Sequence, residues 1–119
     1  MKQLRFVQIS LSLVLAMSMV FVVQAVSEHS EAINREQWPS YENGPNILAL
    51  KQVSTILEKY QEHDKVSLEI RYPGGDAGRA WAESLSSWFV AFGIPKQQQE
   101  LLPGSGAPDW IVIALIDRR

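Results

Sequence analysis

The residues best suited to chemistry lie in one short stretch, Pro73-Gly74-Gly75-Asp76-Ala77-Gly78-Arg79. Three glycines, one acid and one guanidinium stand between an alternating apolar segment and a segment of helical spacing. Backbone amides and the positive end of a helix dipole would meet there, which favours an anion. Arg79 would pair a carboxylate, and Asp76 would accept from an ammonium group. Any ligand contacts are therefore expected at Gly74, Gly75, Asp76, Gly78 and Arg79. The spacing is neither the dinucleotide G-x-G-x-x-G nor the P-loop pattern. The same residues also have a plain structural reading. Glycines supply positive φ in a tight turn, and Asp76 suits a helix N-terminus electrostatically.

The remaining reactive residues do not assemble into a catalytic set. Ser105 lies in Gly104-Ser105-Gly106, but its surroundings do not fit G-x-S-x-G, and no His follows it in the chain. His29 and His63 are the two histidines, too few and too far apart for a metal site. Glu58, Glu62, Asp64, Glu69 and Glu83 read as solvated faces near Lys59 and Lys65. None is embedded among aromatics in the way that raises a carboxyl pKa for acid–base work. There is no Cys, hence no thiolate and no disulfide framework. We expect no enzymatic activity, no metal and no cofactor.

The N-terminus carries an address. Lys2 and Arg5 precede an apolar stretch, residues 11–23, interrupted by Ser12 and Ser18, and Val23-Gln24-Ala25 follows. Positive charge, apolar run and small-residue site in that order form a secretory signal, with cleavage expected after Ala25. The alternative is a retained anchor, since residues 6–26 are long enough to span a bilayer at about 1.5 Å per residue. The expected location is the periplasm in the first case, and the inner membrane facing the periplasm in the second. No Cys follows the apolar run, which excludes a lipoprotein anchor.

Removing residues 1–25 leaves 94 residues, enough for one small domain. Lys2 and Arg5 leave with the signal, so nine basic residues face 13 acidic ones, a formal charge of −4. That balance argues against nucleic acid or an anionic membrane surface as a partner. Membrane contact is expected only through the N-terminal segment, if it is uncleaved. Trp81, Trp88, Phe89, Phe92 and Trp110 are large side chains fit to build a core.

The elements that must position the turn follow from periodicity. Residues 26–45 are polar and read as a linker ending in the turn Glu42-Asn43-Gly44-Pro45, with Ile33, Trp38 and Tyr41 able to dock on the domain as a short edge strand. Residues 46–63 read as one helix, N-capped by Asn46, with Ile47, Leu50, Val53, Leu57 and Tyr60 on its apolar face. Residues 65–72 alternate: Val66, Leu68, Ile70 and Tyr72 point one way, and Ser67, Glu69 and Arg71 the other. A second helix is expected over residues 78–92, buried through Trp81, Leu85, Trp88, Phe89 and Phe92, with Gly93 ending it and Pro95 blocking continuation. Residues 100–102 suit a short strand, and residues 110–116 suit a strand covered on both faces or central in a sheet. The expected fold is a small two-layer α/β (α+β) domain of order αβαβ, residues 46–119. Both helices lie on one sheet face, and a strand–helix–strand unit closes it.

Three segments resemble the OmpA-like, peptidoglycan-associating domain. One is the helix ending near Tyr60 followed by Val66-Ser67-Leu68-Glu69-Ile70. The second is the run from Trp81-Ala82 to Gly93-Ile94-Pro95, similar to the family's second helix pattern RA..V...L...GI. The third is Leu101-Leu102-Pro103-Gly104-Ser105-Gly106, similar to the strand and glycine turn that follow there. The resemblance spans residues 48–106 and implies a non-catalytic domain that binds peptidoglycan or another envelope component. The family holds the diaminopimelate of peptidoglycan with an Asp in the loop after the central strand and an Arg on the second helix. Here that loop is shorter and Asp76 is its one acid. Trp81 stands where the Arg is expected, Arg79 is two residues off register, and the Asn and Leu-Ser signature before the Arg is missing. Docking within a larger envelope assembly, as a structural or accessory subunit, is the alternative function.

Overall fold

A computed structural model of the chain describes residues 27–63 and 65–118. The proposed signal segment, residues 1–25, lies outside the described residues. The elements are β1 (Ser27–Asn34), α1 (Gly44–Leu48), α2 (Lys51–Glu62), β2 (Val66–Tyr72), α3 (Asp76–Ala91), β3 (Gln99–Pro103) and β4 (Trp110–Asp117). The four strands form one mixed sheet in the order β1-β4-β2-β3. β2 and β3 are parallel, and β4 runs antiparallel to both of its neighbours. The fold is thus the α+β class expected, a sheet with helices packed on it.

Register explains which face is covered. Ile33 lies opposite Ile111, Ile70 opposite Ile113 and Leu68 opposite Leu115, so all six project from one face, and all are fully buried. Ile47, Val53 and Ile56 from α1 and α2 join the same cluster, as do Trp81, Leu85 and Phe89 from α3. The helices therefore share that face, with α2 over β1 and β4 and α3 over β2 and β3. Burial of each such side chain contributes about 1.5–3 kcal/mol. The opposite face carries Glu69 and Arg71, joined by an ion pair at 2.6 Å, beside Ala114 and Val112.

The structure corrects the sequence reading in five places. Residues 27–34, read as linker from which Ile33 could dock as a short edge strand, form a full eight-residue β1 along the sheet edge. An edge strand with one solvated side needs few apolar residues, and its ladder to β4 supplies what its composition does not. A 3-10 turn, Arg35–Gln37, follows under a capping box in which Asn34 Oδ1 accepts from Glu36 N–H and Gln37 Oε1 accepts from Asn34 N–H.

The single helix expected over residues 46–63 is broken in two. Its cap is Asn43, whose Oδ1 accepts from Asn46 N–H at 2.8 Å, and Pro45 sits in the first turn. The Asn46 side chain donates instead to the Tyr41 carbonyl. Leu50 is extended (φ −68°, ψ 117°), which redirects the chain so that Ile47, Leu50, Val53 and Ile56 all reach the core.

The remaining corrections concern α3, the last strand and one aromatic. α3 starts at Asp76, two residues earlier than expected, because Gly75 (φ +95°) completes the turn. The parallel partner of β2 is β3, not the last strand. Six residues separate β3 from β4, too few for the crossover of about a dozen or more that parallel strands need, and β4 returns antiparallel. Trp110 stays 38% exposed outside the core.

The end of α3 matches its reading. Ile94 N–H donates to Phe89 O (2.9 Å) and Gly93 N–H to Val90 O (3.1 Å) around Gly93 at φ +111°, a Schellman closure with Ile94 fully buried.

The start of α3 is set by a close approach. A Cβ on Gly78 would stand 1.8 Å from the Pro73 carbonyl oxygen, whereas one on Gly74 would meet nothing within 4 Å. Gly78→Ala must push α3 away from β2, and urea unfolding is expected to show a loss of about 3 kcal/mol or more. Gly74→Ala should stay within about 0.5 kcal/mol of the parent chain. Equal stabilities for the two variants would contradict this packing.

Candidate functional site

Because β2 and β3 are parallel, the turn after β2 and the loop after β3 lie at the same end of the sheet. Gly104 and Ser105 N–H groups both donate to the Tyr72 carbonyl, at 2.8 and 3.2 Å, and so join the two loops. Between them is a shallow depression of about 280 Å³, lined by Pro73, Gly74, Gly104, Ser105, Gly106, Ala107 and Pro108. The carboxyl ends of parallel strands are where open α/β sheets commonly receive ligands. Gly104 (φ +102°) and Gly106 (φ +92°) shape the second loop, and Ser105 Oγ donates to the Ala107 carbonyl at 2.8 Å.

The five residues singled out in the sequence divide. Gly74 lines the depression. Asp76 is exposed in the first turn of α3 and has no hydrogen bond or ion pair among the described residues. Gly75 and Gly78 follow their structural reading, one supplying positive φ and the other admitting Pro73. Arg79 points along α3, where its Nε donates to Glu83 at 3.1 Å in an exposed i,i+4 pair. Residues 104–108 were read only as a breaker run. Their place beside the turn depends on β2–β3 pairing, which local periodicity does not contain.

A second cluster straps residues 35–42 across α3. The Arg35 guanidinium lies 4.9 Å from the centroid of the Trp81 ring, a cation–π contact. Trp38 meets Trp81 edge-on at 6.0 Å, and Trp88 stacks on Phe92 at 5.9 Å. Glu42 Oε1 accepts from Ser84 Oγ at 2.5 Å and from Trp88 Nε1 at 2.8 Å. Trp81, where the resemblance expects an arginine, is thus a buried core residue under the Arg35 side chain.

Other polar groups are engaged elsewhere. His63 Nδ1 donates to the Lys59 carbonyl at 2.7 Å at the end of α2, and His29 lies at the opposite end of the sheet from the depression, beside Glu31 at 3.2 Å. Glu62 pairs with Lys59. Among the described residues, no group of three or more His, Asp or Glu gathers as a metal site, and no helix is long and apolar enough to cross a membrane. The depression is lined by two loops whose backbone is joined through the Tyr72 carbonyl, and Asp76 on the first of them has no partner among the described residues. Comparison with protein families, with curated proteins and with solved structures found no match.

The strap gives a pH dependence with a definite sign. The Ser84 hydroxyl first, then the Trp88 indole, hold the Glu42 carboxyl below its ordinary value of 4.5. A depressed carboxyl contributes stability that is complete above the unfolded-state pKa and is lost as pH falls through the folded one. Glu42→Ala should therefore melt below the parent chain at pH 7, by about 1 kcal/mol of hydrogen bonding. In thermal melts the gap should close as the pH drops below the ordinary value. A gap that is constant across acid pH would show that the carboxylate is not the acceptor that matters.

Proposed function

We propose that the chain is an exported, non-catalytic envelope protein whose domain binds peptidoglycan or another envelope component at the loop end of its sheet. The observation that carries this is the pairing of the residue 73–76 turn with loop 104–108. It creates a concave surface at the ends of two parallel strands, with the unpartnered Asp76 carboxylate nearby. The resemblance to the OmpA-like domain and the N-terminal address support the same reading. Asp76 would accept from an ammonium group, and Arg79, released from Glu83, would pair a carboxylate. An accessory role within an envelope assembly has its own support in the uncovered sheet face. There Trp110 is 38% exposed, with Val112 and Ile116 half-buried on the same strand.

Two measurements test this. The purified protein is expected to co-sediment with sacculi, and Asp76→Ala combined with Arg79→Ala should lower the bound fraction about tenfold or more, as expected when hydrogen bonds to charged groups are lost. Binding unchanged in the double variant removes these residues from the site, and no binding removes the peptidoglycan reading. For the address, intact-mass measurement of the chain recovered from a Gram-negative envelope should show a mature form beginning at Val26. A chain retaining Met1 would establish the anchored form.

A further inference from the structure

The two edges of the sheet are not alike. With the strand order β1-β4-β2-β3, the edges are β1 and β3. An edge strand presents a row of unpaired amides and carbonyls to which another chain can add. On β1, side chains cover part of that row. Gln52 Nε2, from α2, donates to the Ala32 carbonyl and to Gln37 Oε1, each at 3.0 Å. The same Gln37 Oε1 accepts from Asn34 N–H at 2.9 Å.

β3 has no such cover among the described residues. Gly104 N–H donates to the Tyr72 carbonyl, which fixes the phase of the parallel ladder. Leu68, Ile70 and Tyr72 turn their backbone groups to β3, and those of Glu100 and Leu102 answer them. Gln99, Leu101 and Pro103 therefore direct theirs outward. Gln99 N–H is spent on the Lys96 carbonyl, and Pro103 has no N–H to give. The edge is left with one donor, Leu101 N–H, and three acceptors, the carbonyls of Gln99, Leu101 and Pro103. The Gln99 side chain does not cover them, because Ser86 and the Ile94 carbonyl hold it.

An apolar flank runs beside this edge. Ser86 of α3 is bonded to Gln99, and Val90 lies one turn further along the same side of the helix, 44% exposed. Leu101 is half-buried against the core. β3 and the turn before it carry Lys96 and Glu100, of opposite sign, so charge does not choose the partner. The donor count does. Two copies of β3 set about a two-fold axis would exchange at most two hydrogen bonds, one from each Leu101, whichever outward residues face each other. A foreign strand without proline brings three N–H groups to the three carbonyls and one carbonyl to Leu101 N–H.

We propose that β3 receives an extended segment of another protein as a fifth strand of the sheet. Its backbone N–H groups meet the carbonyls of Gln99, Leu101 and Pro103, and an apolar side chain packs on Val90 and Leu101. This goes beyond the reading of the loop site and depends neither on it nor on export.

A displayed library of random peptides of about twelve residues, selected on the purified protein, tests the proposal, since a strand of that length more than spans β3 at about 3.3 Å per residue. In the unbound protein Leu101 N–H should exchange with solvent quickly and Leu102 N–H slowly. A selected peptide should protect Leu101. Methylating the peptide's backbone nitrogens one at a time should weaken binding by about fivefold or more at alternate positions and by less than about twofold between them. Val90→Glu, a change at an exposed position, should weaken binding by about tenfold. A library that yields no binder, peptides that bind without protecting Leu101, or a methylation scan without alternation overturns the proposal. An unbound protein that sediments as a dimer with Leu101 already protected overturns it in favour of a second copy. None of these outcomes bears on co-sedimentation with sacculi, so the two readings fail separately.

Discussion

β4 is last in the chain yet lies between β1 and β2, which make no ladder with each other. Ile111, Ile113 and Leu115 run down its buried face and meet Ile33 on one side and Ile70 and Leu68 on the other. The sheet therefore closes only when the first and last strands meet. This costs loop-closure entropy before any ladder is gained, and it makes the domain a single cooperative unit. α2 packs across β1 and β4, and α3 across β2 and β3, so both helices need the central pairing before they have a complete surface to cover.

The turn that looked most chemical in the sequence serves largely to hold α3 against β2. Gly78 admits the Pro73 carbonyl, Gly75 takes a backbone conformation that other residues avoid, and Arg79 is occupied by Glu83. At its other end α3 is closed by Gly93 and Ile94, and along its length the 35–42 strap binds it through Trp38, Trp81 and Glu42. A helix fixed in so many ways is a rigid support for the loops beside its start. What remains free for recognition is narrower than the glycine pattern suggested: Asp76, Gly74 and the 104–108 loop.

Legibility in the sequence followed the locality of each signal. β2 was readable because its alternation from Val66 to Tyr72 matches a strand with one buried face, and the close of α3 was readable because Gly93-Ile94-Pro95 is local chemistry. The full extent of β1 was not, because Ser-Glu-His-Ser-Glu-Ala-Ile-Asn offers Ile33 as its one large apolar residue, and its strand state comes from a partner some 80 residues away. The break at Leu50 was hidden because Ile47, Leu50 and Val53 keep helical spacing across it. Trp110 heads an apolar run, yet alternation puts it on the sheet face opposite the described helices, so its exposure depends on a layer count that sequence does not supply. The depression was invisible for the same reason as β1: strand pairing is non-local.

The topology also bears on how export and folding are ordered. β1 begins two residues after Ala25, so a chain that folded as it emerged would place a hydrogen-bonded strand directly beside the proposed cleavage site. Its partner β4 lies some 80 residues further along the chain, and among the described strands β1 pairs with no other. In a chain exported N-terminus first, as proposed, residues 27–34 would therefore stay unpaired until β4 had followed, which would leave the peptide bond after Ala25 accessible for that interval. Cleavage would thereby be favoured before folding. The same connectivity that makes β4 the keystone of the core would thus set the time available for cutting in an exported chain.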